Sequence, residues 1–261
     1  MNIKRYSATI AVVAIALAML AMPVAVVAAV GSPGGSVNGQ FTAVTTPTIT
    51  ATGSASVYCT PNGVSTSTLT ATVTDANGAA ASDQVNAQLY NGATALGAPV
   101  VVTSGTGTGN TATFTVGIPF QYNYPAGAGY SVVLTASNPQ KTSAPYTFSP
   151  INYVAALGVS IDSGSSLNFG TLGPGDTSAT QTTTVHDTVN QAENLGISAA
   201  PWTSNVTGAA SVPASSLTSN NPSPLSIDQH APIGFVETIP TGISPYAGTY
   251  STTITVMASA P

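Results

Sequence analysis

The chain predicts an all-β protein, two tandem antiparallel β-sandwiches behind an N-terminal signal helix, and three observations carry that prediction. Beyond the first segment apolar residues alternate with period 2, and no stretch shows a 3.6-residue stripe. Turn signals recur every ten or so residues, the spacing of short sandwich strands. The chain also resembles itself. At an offset of 112, Ile49 falls on Ile161, Val57 on Phe169, Val73 on Val185, Asp75 on Asp187, Val85 on Ile197 and Tyr90 on Trp202. At an offset of 120, Tyr130 falls on Tyr250, Leu134 on Ile254 and Thr135 on Thr255. The change of register places an insertion in the polar stretch from Thr203 to Pro224.

Residues 1–29 are expected to be a secretory signal. Lys4 and Arg5 form a basic n-region, Ala8 to Met22 is apolar, Pro23 breaks the run, and "VAVVAA" offers cleavage after Ala28 or Ala29. The alternative is an uncleaved anchor, since Ala8 to Val30 is long enough to span a bilayer. Residues 30–45, "VGSPGGSVNGQFTAVT", read as a flexible linker, residues 46–154 as the first sandwich and 155–261 as the second.

Within the first sandwich, "STLTATVTDANG" puts Leu69, Ala71 and Val73 on one face and Thr68, Thr70, Thr72 and Thr74 on the other, ahead of a tight Asn77-Gly78 turn. In "QVNAQLYNG" Val85, Ala87 and Leu89 face inward before Asn91-Gly92. "GTGTGN", from Gly105, is expected to be a hairpin loop, because no Lys and no helix follow it. "GNTATFTVG" is the next strand. Then "PAGAGY" and "YAGTY" each set a tyrosine, Tyr130 and Tyr250, just after a glycine-containing corner.

These last two stretches resemble the tyrosine corner of immunoglobulin-like and fibronectin-like sandwiches. "STLTATVTDANG" is similar to the strand and turn of invasin-type repeats, and "LNFGTLGPGD" followed by "TTTVHDTVNQAENLGIS" is similar to envelope modules with an FG-x-L-x-PG turn. The resemblance, to tandem immunoglobulin-like modules of secreted bacterial or archaeal surface proteins, covers most of residues 46–258. It implies a fold and an extracellular setting and transfers no catalytic residue.

After its tyrosine strand the first half continues through "APYTFSPINYV", whereas the second runs only to Pro261. Either the tyrosine strand is the last in both sandwiches, or the second lacks a strand and exposes an edge. A neighbouring subunit's segment, with "GSPGGSVNGQFTAVTT" from Gly31 as the candidate donor, would fill such an edge.

Charge excludes several functions. Once Lys4 and Arg5 are removed, Lys141 is the one basic side chain against eight acidic ones. Such a surface cannot neutralise a phosphate backbone, so no nucleic-acid partner is expected. Cys59, the single cysteine, shares a strand face with Val57 and reads as a buried thiol.

Candidate chemistry is sparse. His186 is expected on the exposed hydroxyl face of a strand and His230 in a loop. The two stand 44 residues apart without H-x-H or HExxH spacing, so no metal site is expected. Asp75 and Asp187 read as turn residues; a calcium site using Asp162 and Asp176 would need its six to eight oxygens to converge from separate loops, and no cofactor is expected. Trp202, matched to Tyr90, is expected in the core. The candidate ligand-binding residues are Phe120, Tyr122 and Tyr124 in "PFQYNYP", whose faces would stack on sugar rings. Asn205, in Asn205-Val206-Thr207, is the candidate glycosylation site.

The expectation is therefore a non-catalytic, exported structural protein of the cell surface or envelope, located outside the cell. The alternatives are an adhesin or carbohydrate-binding module, a filament subunit assembled by strand donation, and a carboxylate-based enzyme. Expected partners are other envelope proteins, the protein itself or surface glycans, with membrane contact only through an uncleaved N-terminal segment.

Overall fold

The computed structural model describes residues 43–78, 80–243 and 247–261, so the signal segment and residues 30–42 of the linker lie outside the described residues. The described chain is all-β. In the first half run β1 (Thr48–Gly53), β2 (Ser56–Tyr58), β3 (Val64–Thr74), β4 (Gln84–Asn91), β5 (Thr94–Val102), β6 (Thr106–Thr108), β7 (Thr111–Gln121), β8 (Gly127–Ser137) and β9 (Tyr146–Val154). They form one sheet of order β1-β3-β7-β6 and another of order β2-β9-β8-β4-β5. Every pairing is antiparallel except β2 with β9, which is parallel.

The alternation read from the sequence builds the core. In β3, Leu69, Ala71 and Val73 are fully buried while Thr68, Thr70 and Thr74 face out. Opposite them on β7 stand Val116, Phe114 and Ala112, and the second sheet contributes Val85, Val132, Leu134, Ile151 and Tyr153. One turn differs from expectation, and one strand was not expected. Asn77-Gly78 does not close a hairpin, because β3 pairs with β1 and β7 while β4 lies in the other sheet. β5, which the Gly97 and Pro99 interruptions hid from the sequence reading, pairs with β4 across the two-residue Gly92–Ala93 loop, Gly92 taking a φ of +58°. The "GTGTGN" stretch does form a hairpin, β6 with β7.

The tyrosine corner forms at Tyr130, whose buried ring donates its hydroxyl to the Pro125 carbonyl at 2.5 Å. Tyr130→Phe removes that bond and leaves a carbonyl without its partner, so an unfolding free energy lower by about 1–2 kcal/mol is expected in urea titrations. At Tyr250 the hydroxyl is buried without a partner among the described residues.

The second half comprises β10 (Val159–Ser163), β11 (Gln181–Asp187), β12 (Asn194–Ala199), β13 (Thr203–Ser204), β14 (Leu217–Ser219), β15 (His230–Glu237), β16 (Tyr250–Ser251) and β17 (Ile254–Ser259). A four-stranded sheet of order β10-β11-β15-β14 faces the two-stranded ladders β12-β17 and β13-β16. Val185, Ile233 and Phe235 of the larger sheet pack with Leu195, Ile197, Ile254 and Val256. Cross-strand partners in the two halves stand at the offsets seen in the sequence. Ile49↔Val73 corresponds to Ile161↔Val185, Val85↔Ala136 to Ile197↔Val256, and Ala87↔Leu134 to Ala199↔Ile254.

Candidate functional site

Several of the residues singled out in the sequence, Tyr122, Asp162, His186 and His230, meet where the two halves touch. Asn190 lies at the centre, fully buried: its Nδ2 donates to Val154 O at 2.8 Å, its Oδ1 accepts from Ala156 N at 2.9 Å, and its carbonyl accepts from Ala126 N at 2.7 Å. Asn62 N donates to Thr188 O at 2.8 Å, and Gly158 N donates to Glu193 Oε1. One asparagine thus ties the end of β9, the connector and the corner before β8 to the second half. Asn190→Ala would strand Val154 O and Ala156 N, at about 1–3 kcal/mol each. The expected result is faster proteolysis within residues 155–158 with both hydrophobic cores retained.

The aromatic loop belongs to this joint. Phe120 is fully buried and packs against Tyr130 and Tyr153, with ring centroids 5.4 and 5.1 Å away. It therefore offers no face to a sugar, which corrects the expectation of a stacking surface. The reason is periodicity: β7 continues its inward alternation through Ile118 to Phe120 before the turn begins. Tyr124 is half-buried against the same core. Tyr122 points across the joint and donates its hydroxyl to Asp228 Oδ1, and Asn123 Nδ2 donates to Asp228 Oδ2 at 3.3 Å. That bond to a carboxylate pushes the Tyr122 phenol up to about 12 and, with the His186 bond, holds Asp228 below the usual carboxylate range.

Asp228 adopts the left-handed region, with φ +60°, a conformation uncommon for a non-glycine residue. Its third contact is His186 Nε2 at 3.0 Å. His186 is 5% exposed, not the solvent-facing strand histidine expected, because Tyr122 and the Asp228 turn cover the hydroxyl face of β11. His230 is the first residue of β15 rather than a loop residue, and the sheet register pairs it directly with His186. The rings stack at 3.8 Å, 12° from parallel.

Asp162 completes the group. Its Oδ2 lies 2.6 Å from His230 Nδ1 and its Oδ1 3.8 Å from His186 Nδ1. It occupies a register shift in β10 between Ile161 and Ser163, and Ser160 Oγ donates to it at 3.1 Å. Bulges of this kind re-aim a side chain. Sequence spacing missed the cluster because its members are cross-strand neighbours. The signal available was the strand register, which pairs "TVHD" with "HAPI".

The remaining residues separate. Asp75 Oδ1 accepts from Asn77 N and Asp187 Oδ1 from Val189 N, both at 2.9 Å, so both are Asx-turn residues as expected. Burial pushes Asp187 up to about 6. Asp176 accepts from Gly173 N at 2.7 Å within its own turn. Cys59 is half-buried beside the first core. Trp202 is half-buried rather than internal, packing edge-on against Phe169 and donating Nε1 to Glu237 at 3.1 Å. Asn205 is exposed, with Oδ1 accepting from Thr249 N at 3.0 Å.

A second feature lies in the second sandwich. A groove of about 400 Å³ runs between Ile161, Leu167 and Phe169 on one wall and Tyr250, Ile254 and Val256 on the other. In the first half β9 pairs with β8; in the second, among the described residues, β17 pairs with β12 alone. The segment 146–154 is thus a strand, and the second sandwich has no counterpart to it among those residues.

Among the described residues no helix is long and apolar enough to cross a membrane. No family model and no curated protein matches the chain. Among solved structures it is similar to the native conformation of E. coli alpha-2-macroglobulin, at 11% identity and a TM-score of 0.27, over 87% of this chain. It spans 18% of that protein's length.

Proposed function

We propose that this chain is a non-catalytic, exported structural protein of the cell surface or envelope, built of two immunoglobulin-like sandwiches and assembled through the open edge of the second. The observation that supports this reading is the groove beside β17, where, among the described residues, one sandwich offers an unpaired strand edge and an apolar wall together. Edges of this kind are natural sites of β-augmentation. The shared cross-strand offsets favour two copies of one module, which makes the position of β9 the place to fill.

The occupant we propose is the N-terminal segment of a second copy. Thr45 is bonded to its own sandwich through Asp75 and Asn138, so the donor is confined to residues upstream, 31–42. Bound as an extended strand, that segment would carry Val37 and Phe41 on one face. The carbohydrate-binding alternative loses its support, since Phe120 is buried and Tyr122 is spent on Asp228.

The test is the native mass of the chain expressed from residue 30, by light scattering with negative-stain images. Multimers or fibres that disappear on deletion of residues 31–42 are expected. A monomer at all concentrations, or multimers unaffected by the deletion, would overturn assembly by strand donation.

A further inference from the structure

We infer that Asp162, His186 and His230 form a binding site for a divalent transition-metal ion of the zinc class, with Asp228 as the carboxylate that orients His186. The three side chains come from three adjacent strands, and one ligand atom from each lies within 4.8 Å of the others.

Hydrogen bookkeeping supports the assignment. A carboxylate only accepts, so the 3.0 Å contact with Asp228 places the hydrogen of His186 on Nε2. When the ring carries that hydrogen alone, its Nδ1 lone pair faces Asp162 Oδ1 at 3.8 Å, two acceptors with nothing shared between them. A cation between them resolves that opposition. The chain Asp228, His186, metal is the arrangement in which a ligand histidine donates its other N–H to a carboxylate, which fixes its orientation and raises its basicity. Asp228 is itself held by Tyr122 and Asn123 from the first half, and its left-handed backbone is spent on reaching them.

The spacing fits a small ion. Bonds of about 2.0–2.2 Å in a tetrahedron separate neighbouring ligand atoms by roughly 3.4 Å. His186 Nδ1 stands 3.8 Å from Asp162 Oδ1 and His230 Nδ1 2.6 Å from Asp162 Oδ2, near that value but on different carboxylate oxygens, so binding one ion requires His230 to turn out of its stack on His186. The short one is the N–H···O bond of metal-free His230, whose side chain is 57% exposed and free to swing as Nδ1 gives up its hydrogen. Two imidazoles and one carboxylate suit zinc, copper or nickel, whereas calcium and magnesium require shells of oxygen. The fourth position is open to water.

The test uses the purified full chain, stripped with chelator and titrated with zinc by calorimetry. One zinc per chain is expected, and a melting temperature that rises with zinc concentration while calcium and magnesium leave it unchanged. His230→Gln and Asp162→Asn, both at exposed side chains, should weaken binding at least about tenfold, and Asp228→Asn by about tenfold. Cobalt substitution gives a readout independent of any variant. The chain has only two histidines, so hyperfine-shifted imidazole N–H resonances from both would report this site alone. Absence of stoichiometric binding at about 100 times the micromolar zinc affinity expected of a three-ligand site, undiminished binding in both variants, or cobalt without shifted imidazole signals would overturn the proposal.

Discussion

Phe120→Ala is expected to lower the unfolding free energy by about 3–5 kcal/mol, the cost of truncating a buried aromatic ring and leaving a partly collapsed cavity. The ring is fully buried between Tyr130 and Tyr153, and those two also contact each other at 6.1 Å, so the three form one aromatic cluster at the end of the first sandwich. Tyr130 is held by its hydroxyl on Pro125 and Tyr153 by its hydroxyl on Gln121 O at 3.2 Å, so neither can move far to fill the space. Urea unfolding followed by tyrosine fluorescence measures the loss. Tyr122→Phe, two residues along, serves as the contrast. It keeps the ring and removes only the bond to Asp228, so a cost of about 1–2 kcal/mol is expected. Equal, small costs for the two variants would mean that Phe120 is not part of the core.

The second large effect is on pH. Asp83 is 2% exposed, its Oδ2 has no partner among the described residues, and burial, reinforced by the nearby Asp75 charge, pushes it up to about 6. A folded-state value above the unfolded one means that the native state binds the proton more tightly. The resulting stability is complete below the unfolded value near 3.8 and is lost as pH rises through about 6. Burial raises Glu193 and Glu237 in the same sense, while three hydrogen bonds to Asp75 outweigh its desolvation and act the other way. The protein should therefore melt at a higher temperature at pH 4.5 than at pH 7.5. Asp83→Asn should reduce that difference by about 2 kcal/mol equivalent, because a two-unit shift corresponds to somewhat more than that at full effect. The readout is the slope with pH, which a general loss of packing would not flatten. An unchanged slope in the variant would exclude Asp83 as its source.

The strand alternation of β3, β4 and β7, the hairpin at Gly109-Asn110, the tyrosine corner and the Asx turns at Asp75 and Asp187 were all legible in the sequence. Each depends on neighbours within a few residues, where period and turn chemistry decide the outcome. The offsets of 112 and 120 also anticipated which residues face one another across the ladders, because a repeated pattern carries its register with it. The tertiary structure alone decided the fate of the second face of each strand. Thr184, His186 and Thr188 read as an exposed hydroxyl row, yet the loop 121–124 of the other half closes over His186. Phe120 and Tyr122 sit two residues apart and are equivalent in sequence as an aromatic pair; where β7 ends makes one a core residue and the other a bridge to Asp228. His186 and His230, 44 residues apart in the chain, become stacked neighbours because β11 and β15 pair in one register among many that spacing permits. Local sequence sets which side chains share a face, whereas what covers that face depends on contacts between distant segments.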